Sequence, residues 1–166
     1  MIGRNIIRFI LLTAFQVLVI NHIRFGGYVY PMVYVYFILL LPFETPGWVL
    51  LLSSFAMGLG VDFFSGTLGL NAAAATFTAF IRPGVLKLLR SEKEYEPGLQ
   101  PGIRDLGFRW FFLYAMILVV VLHSVLFFLE VFGFTEIFQT LFRIGISSAV
   151  TLAFVIMMQF LFSKQD

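Results

Sequence analysis

The sequence predicts an all-α membrane protein, a six-helix transmembrane bundle that forms a single integral membrane domain. Of its 166 residues, 60% are apolar and 12% are charged, whereas soluble domains average about 45–50% apolar and about 25% charged residues. Six spans of ~20 residues would occupy roughly 120 positions, which leaves little chain for a domain outside the membrane. The composition excludes a soluble globule and a disordered chain, and the lack of cysteine excludes a disulfide-stabilised scaffold.

Six apolar runs, separated by turn residues or charges, define the spans. The second run is the least regular, because Tyr28 to Leu41 is short for a span and only the longer stretch 25–43 reaches 19 residues. A full crossing is preferred, and a re-entrant hairpin shared with the next helix is the alternative. We expect the fourth helix at the centre of the bundle, because the small side chains of 72–75 let neighbouring backbones approach closely. The six predicted spans are 6–23, 25–43, 48–64, 68–89, 108–129 and 141–162.

The basic residues predict the orientation of the bundle. Six spans place both termini on one side of the membrane. If that side is cytoplasmic, nine of the eleven Lys and Arg residues lie inside and two, Arg24 and Arg143, lie outside. The N- and C-termini and the polar loop 90–105 are therefore expected in the cytoplasm. The basic residues flank apolar spans and form no continuous stripe, which excludes a nucleic-acid partner.

Placing a polar side chain in lipid costs free energy, so each polar residue inside a span is expected to have a structural or functional role. Asp62 is the most informative, because Ser54, Gly58 and Asp62 follow one another at intervals of four and share one helix face. An aspartate cannot face lipid, so this face is expected to contact protein. We favour an Asp62 carboxylate that accepts hydrogen bonds from the N–H groups of the turn 65–71. A ligand or coupling-ion site is the alternative interpretation.

Arg143 lies just inside the outer end of the sixth span. Its candidate partners on the same side are Asp62, Glu130, Glu136 and His123. An ion pair between Asp62 and Arg143 would join the third and sixth helices. The equal alternative is an arginine whose long side chain reaches the outer membrane interface.

The sixth span also carries a face of small residues. Gly145, Ala149 and Ala153 are spaced by four, which places them along one side of a helix. Faces of this kind are typical of helix–helix contacts in membranes. The sequence predicts such a contact here, either within the chain or with a partner.

No catalytic motif accompanies these residues. The two histidines are isolated, there is no cysteine to complete a zinc site, and the sequence contains no metalloprotease, nucleotide-binding or serine-hydrolase motif. We therefore expect a protein without enzymatic activity, cofactor or metal.

The stretch 58–72, GLGVDFFSGTLGLNA, combines a glycine-rich helix end, an aspartate, the pattern Ser-Gly-x-x-Gly and an alanine-rich helix. This pattern resembles the rod shape-determining membrane protein family MreD. The chain length, six spans and aromatic second span agree with that resemblance, and the Phe- and Tyr-rich composition is similar to the versions found in Bacteroidota. The expected motif and packing residues are Ser54, Gly58, Asp62, Ser65, Gly66, Gly69 and Asn71.

The resemblance implies a non-enzymatic scaffold of the cell-wall elongation complex in the bacterial inner membrane. Such a protein binds the transmembrane helix of the bitopic protein MreC and works alongside MreB, the glycosyltransferase RodA and a class B penicillin-binding transpeptidase in peptidoglycan synthesis and cell-shape maintenance. The implied fold is similar to that of the substrate-binding components of energy-coupling-factor transporters. The alternative function is a small-molecule binding subunit of a membrane transporter, with a cavity near Asp62. The loop 90–105 matches no pattern of the family.

Overall fold

The computed structural model describes residues 2–23, 26–89 and 99–163, and 79% of these residues lie in helices. No strand occurs among them, which confirms the predicted all-α class. A 3-10 turn, Ile20–His22, follows the first helix. In chain order the α-helices are α1 (Ile2–Leu18), α2 (Val35–Leu40), α3 (Gly47–Ser65), α4 (Leu70–Leu88), α5 (Ile103–Leu106), α6 (Phe108–Val131) and α7 (Ile137–Ser163).

Four stretches of the described chain are long and apolar enough to cross a membrane, as judged by length and composition. Such a set fits a multi-pass membrane protein. Helix α4 is as long as α3, but Asn71, Arg82 and two threonines make it more polar. The predicted count of six spanning helices is therefore not confirmed. The four stretches are Ile2–His22, Gly47–Ser65, Phe108–Val131 and Ile137–Ser163.

The second predicted span differs most from expectation. Among the described residues of 25–43, only Val35–Leu40 is α-helical. Gly26 and Gly27 have φ angles of 74° and 79°, and the missing N–H of Pro31 weakens a helix further, so the first half is irregular. The prediction of one helix over the whole of 25–43 is therefore wrong.

This irregular segment nevertheless follows the length of the bundle. The backbone N–H of Tyr30 donates to Ser147 Oγ, 3.1 Å away, and the Tyr36 hydroxyl donates to Gln159 Oε1 at 2.9 Å. Gln159 lies twelve positions after Ser147 along α7, which corresponds to a rise of about 18 Å along the helix axis. Every residue from Val33 to Leu41 is buried. The segment therefore runs beside α7 through the core of the bundle.

The ends of the helices define two faces of the bundle. At one of them, the indole N–H of Trp110 donates to the carbonyl of Leu89, 2.9 Å away, and Phe108 stacks on Phe160 with ring centroids 6.1 Å apart. We call this end, where α1 and α6 begin and α4 and α7 end, the basic face. We call the opposite end, where α3 ends and α4 begins, the Asp62 face.

Helix α4 packs extensively against both α3 and α6. Ala72, Ala74 and Ala75 are buried in these contacts, so three of the four alanines of the 72–75 stretch lie between neighbouring helices. Of the polar loop 90–105, positions 90–98 fall outside the described residues, and the short helix α5 forms near its end.

Candidate functional site

The carboxylate of Asp62 closes the turn between α3 and α4. Its Oδ1 accepts hydrogen bonds from the backbone N–H of Asn71 at 3.0 Å, from Asn71 Nδ2 at 2.9 Å and from the Thr67 hydroxyl, while Oδ2 accepts from the N–H of Ala72 at 2.9 Å. A negative charge at a helix N-terminus satisfies free N–H groups and is favoured by the helix dipole. The Asp62 carboxylate therefore accepts hydrogen bonds from N–H groups at the start of α4, the role that the sequence favours for it. All of these partners belong to the same chain.

Two glycines shape this turn. Gly66 ends α3 with φ 68°, and Gly69 precedes α4 with φ 83°. Both angles lie in the left-handed region, which favours glycine because it has no Cβ. Ser65 lies at the rim of the turn, where its Oγ accepts a hydrogen bond from Asn21 Nδ2 at 2.7 Å. The Ser-Gly-x-x-Gly pattern therefore builds the turn that carries Asp62 and its partners.

Gly58 is the point of closest approach between α3 and α4. A Cβ added there would lie 2.4 Å from the carbonyl oxygen of Asn71 and 2.6 Å from the Cα of Ala72. Ser54, one turn earlier, is buried, and its Oγ has no hydrogen-bond partner among the described residues. The face predicted from Ser54, Gly58 and Asp62 thus contacts protein, and the protein is the chain's own helix α4.

A buried polar side chain of α1, that of Gln16, holds the irregular backbone before α2. Gln16 is fully buried, and its Oε1 accepts from the backbone N–H of Val33 at 2.7 Å while its Nε2 donates to the carbonyl of Pro31 at 3.0 Å. Irregular backbone at membrane depth requires such partners, because lipid offers none. Gln16 therefore replaces the hydrogen bonds that a continuous helix would supply.

Helices α6 and α7 hold the same segment from the other side. Ser147 Oγ and Thr151 Oγ1 accept from the backbone N–H groups of Tyr30 and Met32, both at 3.1 Å. His123 is buried, with Nε2 lying 3.2 Å from Thr151 Oγ1 and Nδ1 lying 2.9 Å from the carbonyl of Val119. Ser147 and Thr151 therefore provide hydrogen-bond acceptors for the segment, and Thr151 is also a hydrogen-bond partner of His123.

Asn71 joins the Asp62 turn to the irregular segment. Its Nδ2 donates to Asp62, and its Oδ1 accepts from the hydroxyl of Tyr34 at 3.0 Å. Tyr34 is itself fully buried. Neither the role of Tyr34 nor its partner is visible in the sequence, where the tyrosines of this run suggest only a membrane interface.

Arg82 is a buried residue that the sequence analysis missed. Only 1% of it is exposed. Its Nε donates to the Tyr114 hydroxyl at 2.8 Å, Nη2 donates to the carbonyl of Leu41, and the Tyr114 hydroxyl donates to the carbonyl of Leu39 at 3.0 Å. A cation at the C-terminus of α2 complements the free carbonyls there. In the sequence, Arg82 counts only as one of the nine basic residues that orient the bundle, although it lies within the predicted span 68–89.

The ion pair between Asp62 and Arg143, one of the two alternatives left open by the sequence, does not form among the described residues. Arg143 Nη2 lies 3.3 Å from Glu130 Oε2, at the end of α6, and its guanidinium lies 4.5 Å from the Phe127 ring centroid. Glu130 was one of the candidate partners, and Asp62 is instead occupied by the turn before α4. A position near the same end of the bundle does not make two helices neighbours, and α6, not α3, packs beside α7 at this point.

The small-residue face of α7 points away from the rest of the described chain. Gly145, Ala149 and Ala153 are all exposed, and a Cβ added at Gly145 would meet no atom within 4 Å. The contrast with Gly58 is direct, because Gly58 packs inside the chain. Of the two predicted small-residue faces, only the one on α7 is open to a partner.

A cavity of about 1160 Å³ opens at the Asp62 face. Its wall is formed by the end of α1, the stretch 26–32, the turn between α3 and α4, and the end of α6. Several polar groups in this wall bind each other, as Asn21 binds Ser65. The rest of the wall is largely apolar, with Val29, Leu68 and Phe127 among its residues.

Within the described residues, no group of three or more His, Asp or Glu side chains is placed to hold a metal ion. The chain matches no protein-family model, no curated protein and no solved structure. The function must therefore be argued from the site itself.

Proposed function

We propose that the chain is a non-enzymatic membrane scaffold of the MreD type, which holds the transmembrane helix of MreC in the cell-wall elongation complex of a bacterial inner membrane. The observation that carries the proposal is the exposed small-residue face of α7. Gly145, Ala149 and Ala153 line up along the helix without any described neighbour over them. MreB, RodA and a class B penicillin-binding transpeptidase enter only through the resemblance in sequence.

The physics of helix association in lipid supports this choice of face. Apolar burial gives little net attraction between helices in a membrane, so association depends on close packing. Around the three small residues, Phe142 and Met157 on the same helix are 59% and 50% exposed. The small residues thus form a low stretch of the helix surface, with a larger exposed side chain before and after it along the helix, and a partner helix can approach its backbone closely there.

The proposal is tested by co-purification of the chain with MreC after co-expression. Ala149→Leu places a large side chain on this small-residue face and prevents the close approach of a partner helix, so we expect it to abolish co-purification. Ala73→Leu is the matched control, since Ala73 is also an exposed alanine but lies on α4. If Ala149→Leu retains MreC as well as Ala73→Leu does, the α7 face is not the binding surface.

The proposed orientation places the basic face and both termini in the cytoplasm. The chain has no cysteine, so single cysteines report the side directly. Leu68, which is 99% exposed at the Asp62 face, is expected to react as Leu68→Cys with a membrane-impermeant maleimide in spheroplasts. Gly3→Cys, at the basic face, is expected to react only after the membrane is opened. The reverse pattern would invert the proposed orientation.

The cavity at the Asp62 face favours a second candidate function, a small-molecule binding subunit of a transporter. A volume of about 1160 Å³ is large enough for a vitamin-sized ligand. Thiamine, riboflavin and biotin are suitable probes in a thermal-shift assay of the purified chain. Val29→Trp would fill the cavity and remove any stabilisation, whereas Leu52→Trp, on the exposed side of α3, would leave it intact. No stabilisation by any of the three probes would count against this function.

A further inference from the structure

A second and smaller pocket opens at the basic face, where α1 begins and α7 ends. Its volume is about 400 Å³. The pocket lies between the first turns of α1, the end of α2, the region of α5 and the last turn of α7. Its polar lining includes Arg4, Arg8, Tyr36, Arg104, Asp105 and Gln159.

The lining of this pocket is positively charged. Among the described residues of the lining there are three arginines and one carboxylate, which together carry a net charge of +2. Arg4 and Arg8 are one helical turn apart on α1, so their side chains share one face. The carboxylate of Asp105 accepts a hydrogen bond from the backbone N–H of Gln100 at 3.0 Å, so it stabilises the backbone of its own loop. Arg8 and Arg104 also interact with other groups of the chain, so they contribute to the pocket through their positive charge.

A buried polar pair forms part of the same wall. The Tyr36 hydroxyl donates to Gln159 Oε1 at 2.9 Å, which leaves the amide nitrogen of Gln159 as a donor. A Cβ added at Gly102, another lining residue, would lie 2.8 Å from this nitrogen. A residue larger than glycine at position 102 would therefore crowd the Gln159 amide. The Gln159 amide nitrogen gives the pocket an N–H donor in addition to its arginines.

We infer that this pocket binds the phosphate group of an anionic phospholipid. Guanidinium groups match phosphate oxygens in charge and in the geometry of paired hydrogen bonds. Because the pocket lies at helix ends, it meets the headgroup layer of a bilayer, where basic pockets between helices bind anionic lipids.

The apolar surroundings of the pocket distinguish a lipid from a soluble phosphate. Leu40 and Phe162 belong to its wall. Next to lining residues in the chain, Ile7, Phe160 and Leu161 are 59%, 51% and 60% exposed. These side chains give acyl chains a surface to lie on, which inorganic phosphate cannot use.

The test is a titration of the purified full-length chain in detergent with phosphatidylglycerol, with bound lipid counted by native mass spectrometry. We expect Arg8→Gln and Arg104→Gln each to weaken binding about tenfold, because each removes one positive charge from the pocket that attracts the phosphate. Arg109→Gln is the matched control, because Arg109 is an exposed arginine of the same face outside the pocket lining. It is expected to leave binding unchanged, and phosphatidylcholine is expected to bind about tenfold more weakly than phosphatidylglycerol.

Three outcomes would overturn the inference. Wild-type affinity in both Arg8→Gln and Arg104→Gln would exclude the pocket, and an equal loss in Arg109→Gln would assign the binding to diffuse surface charge. Displacement of phosphatidylglycerol by an equal concentration of inorganic phosphate would assign the pocket to a soluble anion. Arg104 is exposed, so Arg104→Gln keeps the test valid if Arg8→Gln fails to fold. MreC takes no part in the assay, so its result is independent of the proposed scaffold function.

Discussion

Asp62 binds two different groups of Asn71, the backbone N–H at 3.0 Å and the side-chain Nδ2 at 2.9 Å, with the same carboxylate oxygen. The first bond caps α4, and the second fixes the amide so that its Oδ1 accepts the hydroxyl of Tyr34. One carboxylate therefore ties the end of α3 to the start of α4 and, through Asn71, to the irregular segment before α2.

We predict that Asp62→Ala lowers the free energy of unfolding by about 2–3 kcal/mol, because it leaves buried N–H groups without an acceptor. Asp62→Asn keeps one acceptor oxygen and is expected to cost less. Circular dichroism during titration of mixed micelles with SDS measures both. Glu130→Gln is the control, because it removes a half-exposed carboxylate that pairs with Arg143. Equal losses in Asp62→Ala and Glu130→Gln would contradict the capping role.

We predict that Gly58→Ala destabilises the chain by at least about 2 kcal/mol, because its Cβ overlaps the backbone of α4 and the packed helices must move apart. Gly60→Ala is the control on the same helix. The nearest atom to its added Cβ is Thr13 Cγ2 at 3.5 Å, an ordinary contact, so Gly60→Ala is expected to be neutral or slightly stabilising. The same SDS titration compares the two. A neutral Gly58→Ala would show that α3 and α4 are not packed this closely.

The hydroxyl of Thr151 is predicted to matter for the segment before α2. Thr151→Val keeps the shape but removes the acceptor of the Met32 N–H and a neighbour of His123 Nε2. Hydrogen bonds between membrane helices average about 0.6 kcal/mol and reach about 1.7 kcal/mol, so we expect a loss of about 1–2 kcal/mol.

Thr76→Val is the matched control for Thr151, since the Thr76 hydroxyl bonds only the carbonyl of Ala72 in its own helix. Hydrogen exchange followed by mass spectrometry provides the local measurement. Peptides that contain Met32 should exchange faster in Thr151→Val but not in Thr76→Val. Unchanged exchange in both variants would show that the Met32 amide is protected by other means.

We predict that lysine replaces only part of the stabilising contribution of Arg82. Lysine carries the charge but cannot reproduce the planar fork that reaches both the Tyr114 hydroxyl and the Leu41 carbonyl. We expect Arg82→Lys to lower the free energy of unfolding by about 1–2 kcal/mol, and Arg82→Gln by about 3 kcal/mol or more. Arg109→Gln, at an exposed position of α6, should change it little. An Arg82→Gln protein as stable as the wild type would exclude this role.

Hydropathy locates most of the long helices. The predicted spans 48–64 and 108–129 differ from α3 and α6 by at most two residues at either end. These helices are continuous apolar runs whose limits are set by turn residues and charges, so the local sequence contains the necessary information. The four helices that fit a membrane span also support the transmembrane character that the composition predicts.

The shape of the second segment is not available from the local sequence. Its backbone is held by Gln16, Ser147 and Thr151, which lie on two other helices. The sequence shows all three as polar residues within apolar runs. It cannot assign their partners, because the partners are backbone groups that only the assembled bundle brings within reach. Asp62 differs because its partners follow within ten residues along the chain, and a local argument could favour them.

Residue pairs on different helices show the same limit. The charges of Asp62 and Arg143 are compatible, and both residues were assigned to one side, yet the neighbour of Arg143 is Glu130. Helix order along the chain does not fix helix order in the bundle. The buried role of Arg82 also depends on Tyr114 and Leu41, which come from two other segments.

The hydrogen bonds of Tyr30 and Met32 also constrain the order in which the chain can be assembled. Their acceptors, Ser147 and Thr151, are 117 and 119 residues further along the chain, so they are synthesised well after Tyr30 and Met32. Before α7 is made, the segment before α2 has no complete set of partners and cannot rest in hydrocarbon as an independent helix would. Its final placement therefore has to wait for the synthesis of α7, and this later helix fixes an earlier segment in the bundle.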